Sequence, residues 1–195
     1  MNLAIFDFDG TITTKDSFED FILFSQGGAK TAVGLFKKAP ALLKYLFGSM
    51  SNSQAKEEIF AHFYQGWETI KFDMYAEHYV KERLPQILRP AALEKLNWHK
   101  KEGHTIVIVS ASFEEYLKFW CKQEGIALLA TTIEVKDGKF TGKFASPNCY
   151  GDEKIRRIKQ TYNLQDFSHI TAYGDTKGDL PLKEIAHEFH YKPFL

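Results

Sequence analysis

Two carboxylates stand two residues apart in Asp7-Phe8-Asp9-Gly10-Thr11, directly behind a short apolar run, Leu3-Ala4-Ile5-Phe6. Residues two apart on an extended chain project to the same side, so Asp7 and Asp9 can reach one site. Asp is a poor strand former and is costly to bury unpaired, so such a pair needs a compensating partner. A later apolar run, Ile170 to Tyr173, ends in Gly174-Asp175, and Asp179 follows after Lys177-Gly178. Four carboxylates brought together would raise one another's pKa, and a divalent cation removes the conflict. All-oxygen ligation by few protein groups suits Mg2+, which keeps waters and phosphate oxygens in its shell. Ser110 closes the apolar run Thr105 to Val109, just before a helix expected to begin near Phe113. A hydroxyl and free N–H groups at a helix start bind anions, phosphate above all. Lys154, at the start of a later helix, can neutralise both a phosphate and a nucleophile.

These residues need elements that bring them together. Leu3–Phe6, Thr105–Val109 and Ile170–Tyr173 are apolar without alternation, the pattern of strands buried on both faces. Helices are expected over Ala91 to Glu102 behind Pro90, Phe113 to Glu124 before Gly125, and Glu153 to Tyr162. The alternation predicts an α/β fold with a doubly wound, Rossmann-like, mainly parallel sheet. Ligands bind outside the carboxyl ends of such strands, where the three polar clusters fall. A hairpin is expected around Asp137-Gly138, a favoured two-residue turn. From about Asp16 to Leu88 the alternation stops. Helices over Ser17 to Ser25, Ala29 to Phe47, Gln54 to Tyr64 and Glu68 to Leu84 read as an inserted lid. The expected organisation is thus a core of residues 1–15 and 89–195 with an all-helical cap at 16–88.

Composition narrows the class. The chain has 195 residues, with 25 Lys and Arg against 25 Asp and Glu. Zero net charge lacks the positive field of a general nucleic-acid binder, so no nucleic acid is expected as partner. No secretory signal and no spanning segment is read in the chain, and the two cysteines fit free thiols in a reducing compartment. The expected location is cytoplasmic. The plainer readings are a turn for Asp7–Gly10, a helix N-cap for Ser110 and a solvated surface lysine for Lys154. The register of Asp175 and Asp179 with Asp7 and Asp9 favours the chemical reading. The seven histidines lack metal-ligand spacing. Cys121 reads as core, Cys149 has no basic partner in sequence, and Lys37-Lys38 reads as a solvated face.

Taken in order, Asp7-Phe8-Asp9-Gly10-Thr11, Ser110, Lys154 and Gly174-Asp175-Thr176-Lys177-Gly178-Asp179 resemble the four motifs of the haloacid dehalogenase-like phosphohydrolases. The resemblance covers essentially the whole chain and lies nearest the phosphoserine phosphatase branch, which carries an all-helical cap after the first strand. Asn148 to Lys154 and Tyr173-Gly174-Asp175 look like a bacterial subgroup that includes phosphatidylglycerophosphatase C. The resemblance implies a phosphatase with Asp7 as nucleophile, forming an aspartyl-phosphate, and Asp9 as acid and then base. It implies that Thr11 assists, and that Ser110 with the backbone N–H groups of Ala111 and Ser112 holds phosphate oxygens. Lys154 would stabilise charge. Asp7, the backbone carbonyl of Asp9 and Asp175 would hold Mg2+, with Asp179 direct or one step behind.

The cap should select the alcohol. Asp16 stands where that branch uses an acid to engage a substrate amino group, but its partner arginine has no counterpart here before Arg83. Phosphoserine is therefore the alternative substrate. Ala32 to Phe47 is strongly apolar with interspersed lysines, and Pro40 is expected to kink it. It reads either as cap core or as an interfacial helix pair making peripheral contact with the inner membrane face. The expected substrate is accordingly a small phosphomonoester or a phosphatidylglycerophosphate-like lipid headgroup. The competing class is a catalytically silent phosphate- or protein-binding relative.

Overall fold

The computed structural model describes the backbone of residues 1–195 and all side chains except those of Pro40, Ala41, Leu42, Lys44, Tyr45 and Leu46. The chain begins with β1 (Asn2–Phe6) and then forms α1 (Ser17–Gln26), α2 (Gly28–Leu46), α3 (Asn52–Tyr64) and α4 (Thr69–Glu82). It continues through α5 (Pro90–Lys101), β2 (Thr105–Phe113), α6 (Glu114–Glu124) and β3 (Ala127–Thr131). Then come β4 (Ile133–Lys136), β5 (Lys139–Phe144), α7 (Asp152–Thr161), β6 (His169–Gly174) and β7 (Glu188–Tyr191). Five strands form one sheet in the order β3-β2-β1-β6-β7, and every pair in it is parallel. Helices cover both faces, as the unbroken apolar runs require. This is the α/β Rossmann-like architecture expected.

Most helix ends follow local chemistry. Asp16 caps α1, its carboxylate accepting from the N–H groups of Phe18 and Glu19. Pro90 opens α5, and Gly125, in the left-handed region, closes α6. One boundary differs from expectation. Phe113 belongs to β2, and α6 starts at Glu114. The strand shifts register between Ser110 and Phe113, and this irregular stretch, rather than a helix start, carries Ser110 to Ser112. Such a break in the ladder re-aims the side chains it carries. Asp137 and Gly138 both take positive φ, 49° and 72°, and join β4 to β5 as the turn chemistry dictates.

Two short segments connect the helices α1–α4 to the sheet. Residues 12–14 and 87–89 pair as an antiparallel ribbon: Thr14 N–H donates to Ile87 O at 2.8 Å and Arg89 N–H to Ile12 O at 2.8 Å. The helices do not enclose a private core. Phe18 meets Phe113 at a ring separation of 4.6 Å, Phe60 meets Phe113 at 5.1 Å and Phe21 stacks on Tyr116 at 5.2 Å. Phe140 of β5 packs against Phe60 and Phe72. The β4–β5 hairpin also exchanges backbone hydrogen bonds with residues 66–69, including Gly66 N–H to Phe140 O at 2.8 Å. Each buried ring contributes about 1.5–3 kcal/mol, so this aromatic continuity is a main stabilising feature.

The outer face of α2 is different. Phe36 and Phe47 are each 82% exposed, and Val33 and Leu43 are also exposed. No helix among the described residues is long and apolar enough to cross a membrane. The kink expected at Pro40 lies outside the described residues.

Glu115 in α6 gives a stability test. Its Oε1 accepts from Ile133 N–H at 2.7 Å, while the buried Oε2 has no hydrogen-bond partner among the described residues. Burial pushes its carboxyl up to about 7. Between the ordinary glutamate pKa and that value the folded chain holds a proton that the unfolded chain has lost. Wild-type stability therefore falls as pH rises through this window. Glu115→Gln cannot ionise, so it should gain about 1–2 kcal/mol on the wild type between pH 4.5 and 8. Urea midpoints across that range provide the check, and a pH-independent difference would contradict it.

Candidate active site

The carboxyl ends of β1, β2 and β6 meet at one cavity of about 170 Å3, lined by Asp7, Asp9, Ser110 and Lys154 among others. Asp7 follows β1 directly, its N–H donating to Tyr173 O of the neighbouring strand. Lys154 sits in the first turn of α7 and is almost wholly buried. Its ammonium lies 2.5 Å from Asp7 Oδ1 and 2.6 Å from Asp179 Oδ1. The plain reading of Lys154 as a surface lysine is therefore wrong.

Asp7, Asp175 and Asp179 each present a carboxylate oxygen within 4.8 Å of the others. With all three ionised, as a bound cation would require, one ammonium leaves two negative charges uncompensated, the charge of one divalent cation. The donor set is all hard oxygen, so these residues fit Mg2+. Asp179 is the most fully engaged. Its Oδ2 accepts from Asp175 N–H, Thr176 N–H and the Thr176 hydroxyl, while Oδ1 faces Lys154. It thus fixes both the lysine and the loop bearing Asp175. Thr11 donates to Asp175 Oδ1 at 3.2 Å. Gly10 has φ +80°, and a Cβ there would overlap the Asp175 carboxylate. Glycine is therefore required at position 10 for space as well as for φ.

The charges pull against burial. Desolvation pushes the Asp7 carboxyl up to about 8, opposed by Lys154 and reinforced by Asp179 and Asp9. Burial opposes the charge on Lys154, but Asp7 and Asp179 override it and hold the ammonium above its ordinary range. Burial would likewise raise Asp179, and Lys154 and Thr176 hold it down instead.

Asp9 lines the same cavity, but its carboxylate is not one of the three that converge and is held by other partners. Oδ1 accepts from Ser17 N–H at 2.7 Å, and Oδ2 takes a very short hydrogen bond from the Ser112 hydroxyl. Burial and the Asp16 charge push it up to about 6. Three carboxylates rather than four therefore converge through their side chains. Ser110 and Ala111 line the cavity, whereas Ser112 is buried behind it, its N–H donating to Ser110 Oγ at 3.0 Å. Asp16 also lines the cavity while its Oδ1 caps α1. Cys149 is buried, and desolvation pushes its thiol up to about 11, which disfavours the thiolate a nucleophile needs. His99 is buried and bonded to His104 and Tyr173, a satisfied core histidine as expected.

Several lining residues carried no signal in the sequence. Asn52 and Lys56 reach the cavity from α3 and Tyr150 from the loop before α7. Asn148 donates to Asn52 Oδ1 at 3.2 Å, joining that loop to the helical insert. Arg157 holds the loop from the other side through Ala130 O, Ser146 Oγ and Pro147 O. A wider, more open depression of about 530 Å3 runs between α3 and the β4–β5 hairpin. Its walls carry no group placed beside the acidic cluster, so size alone does not choose the site.

Comparison with known proteins gives the family. A model of the haloacid dehalogenase-like hydrolases matches residues 4–184. Protein CicA of Caulobacter vibrioides is 31% identical over 98% of this chain and 86% of its own. A probable phosphatase of Mycobacterium tuberculosis is 29% identical over 93% of this chain and 65% of its own. Among solved structures, a probable phosphoserine phosphatase from Vibrio cholerae superposes with a TM-score of 0.72 at 18% identity. That likeness covers 98% of this chain and 57% of the other, and shows a shared fold.

Proposed function

Because this chain belongs to the haloacid dehalogenase-like hydrolase family and is a hydrolase of the phosphatase type, we propose that it cleaves phosphate monoesters through an aspartyl-phosphate on Asp7, with Mg2+ in the acidic cluster. The observation that carries the reading is the convergence of Asp7, Asp175 and Asp179 around buried Lys154.

A carboxylate oxygen of Asp7 attacks phosphorus in line as the bond to the alcohol oxygen breaks. Asp9 gives its proton to the departing oxygen, then takes one from the water that cleaves the acyl phosphate. Its carboxyl, raised towards 6 and held by Ser17 and Ser112, suits a group that must carry a proton and keep its aim. Ser110 and the N–H of Ala111 receive phosphoryl oxygens, and Thr11 steadies Asp175. Asp7, Asp175 and the Asp9 backbone carbonyl would hold Mg2+, which neutralises phosphoryl charge when bound.

Residues 16–88 serve as a cap over a core of 1–15 and 89–195 in this reading. The paired hinge segments and the reach of Asn52 and Lys56 into the cavity support it. The substrate is a phosphomonoester of a small alcohol or of a lipid headgroup, with phosphoserine as the alternative. Exposed Val33, Phe36 and Phe47 on and beside α2, near Lys37, support approach to a lipid surface at the inner membrane face.

The deciding assay is phosphate release from p-nitrophenyl phosphate. Turnover should need Mg2+ and stop with EDTA. Release indifferent to chelation would remove the metal from the proposal, and no release from any phosphomonoester would favour a silent binding relative. Ser112→Ala provides a finer test. Loss of its hydroxyl leaves Asp9 misaimed, which matters most for leaving groups that need a proton. Turnover of alkyl phosphates should fall about 10- to 100-fold, and that of p-nitrophenyl phosphate less than about threefold. Equal losses on both would separate Ser112 from the proton donor.

A further inference from the structure

We infer that the alcohol released by this enzyme carries an apolar body, received in a second cavity that opens off the phosphate cavity between α1, α2 and α3. The inference rests on the phosphatase reading and names the substrate class for it. The second cavity, of about 240 Å3, has Phe18, Ile22, Leu35 and Ile59 in its wall beside the polar Glu19 and Thr31, and shares Asp16 and Lys56 with the cavity of Asp7 and Asp9. Phe18 and Ile22 are buried, while Leu35 stands half-exposed at the outer lip. A group esterified to a phosphate at Ser110 and Lys154 would reach this space by passing between Asp16 and Lys56.

Asp16 and Lys56 frame the junction between the two cavities. Asp16 spends its Oδ1 on the N–H groups of Phe18 and Glu19. The Lys56 ammonium lies on the phosphate side, 3.4 Å from Ala111 O, so its methylene stem spans the opening. A small polar alcohol would leave the aliphatic and aromatic wall in contact with water. A dry cavity of about 150 Å3 accepts a benzene ring, so the space here holds a ring or a chain of about six to eight carbons. Two sources share this chemistry, a monomeric amphiphilic ester and a lipid presented by a membrane.

The test uses the full chain with Mg2+ and n-alkyl phosphates from ethyl to decyl, each below its aggregation threshold. Burial of one methylene is worth about fourfold. Accordingly kcat/KM should rise about three- to fourfold per methylene up to six to eight carbons and then level. Calorimetry with hexylphosphonate and ethylphosphonate, which cannot turn over, should show the same preference and a more negative heat capacity change for hexyl. Ile59→Trp fills the cavity and should bring the hexyl-to-ethyl ratio close to one. Leu35→Asp, at an exposed position, should lower the same ratio at least about tenfold and guards against a misfolded tryptophan variant. A flat series, or a ratio unmoved in both variants, overturns the inference. Chain-length preference in phosphonate binding with no turnover of any ester supports the cavity and overturns the phosphatase reading instead. Phosphatidic acid in phosphatidylcholine vesicles separates the sources: its turnover assigns a membrane-borne ester, and turnover of monomers alone assigns a dispersed one, both consistent with an apolar alcohol.

Discussion

Asp7→Asn lowers phosphatase turnover by about 10^4-fold or more and leaves the chain folded. The magnitude is that of removing a nucleophile from an otherwise intact site. An amide offers no anionic oxygen to attack phosphorus, yet its carbonyl oxygen can still accept from the Lys154 ammonium, which lies 2.5 Å from Asp7 Oδ1. Burial already disfavours the charged form of Asp7, pushing its carboxyl up to about 8, so a neutral side chain relieves part of that cost. The melting temperature of the variant should match or exceed that of the wild type. Intact-mass analysis after rapid quench should find a phosphorylated chain only in the wild type. A residual rate above about a hundredth of the wild-type value would mean that another residue attacks.

Lys154→Met has the larger effect on stability. It leaves the carboxylates of Asp7 and Asp179 buried against each other without the ammonium that touches both. Breaking a buried ion pair from one side costs about 3–5 kcal/mol, and turnover should be lost as well. The deficit depends on pH with a definite sign. Without Lys154 the Asp7 carboxyl rises further above its unfolded value, and that of Asp179, which the lysine holds below the ordinary range, rises as well. The folded chain then holds protons that the unfolded chain lacks, and stability falls as pH rises from about 4 towards 8. Urea midpoints at pH 5 and pH 8 should show a larger gap from the wild type at pH 8. Saturating Mg2+ should raise the melting temperature of the variant more than that of the wild type, since a cation can occupy the same negative field. A gap equal at both pH values would show that the lysine acts by packing alone.

The sheet and the acidic cluster were legible because both are written locally. Runs such as Leu3–Phe6 and Ile170–Tyr173, alternating with helical patterns, fit doubly buried strands, and carboxylates at their ends need a shared partner. What stayed hidden depends on contacts between distant segments. Lys56 lies in a helix whose charged and apolar residues mark no special position, and only the packing of α3 brings it to the cavity. The turning of Asp9 towards Ser112 follows from the irregular end of β2, which no local pattern announces. Phe113 was expected to start a helix because Glu114 to Glu124 follows it, but its ring is needed under Phe18 and Phe60, and the strand extends to place it there. Asp179 was expected at or near the metal. Its role in orienting Lys154 and the Asp175 loop emerges only when all its hydrogen bonds are counted.

The interlocked rings of Phe18, Phe60, Phe113, Tyr116 and Phe140 bear on how such an enzyme can diversify. Recombination breakpoints at the two hinge crossings would transplant half of an interdigitated surface and strand the rest on the recipient. A viable chimera must also carry the segment from β2 to β5. Exchange of the insert alone should therefore lower stability, and exchange together with the segment from β2 to β5 should preserve it.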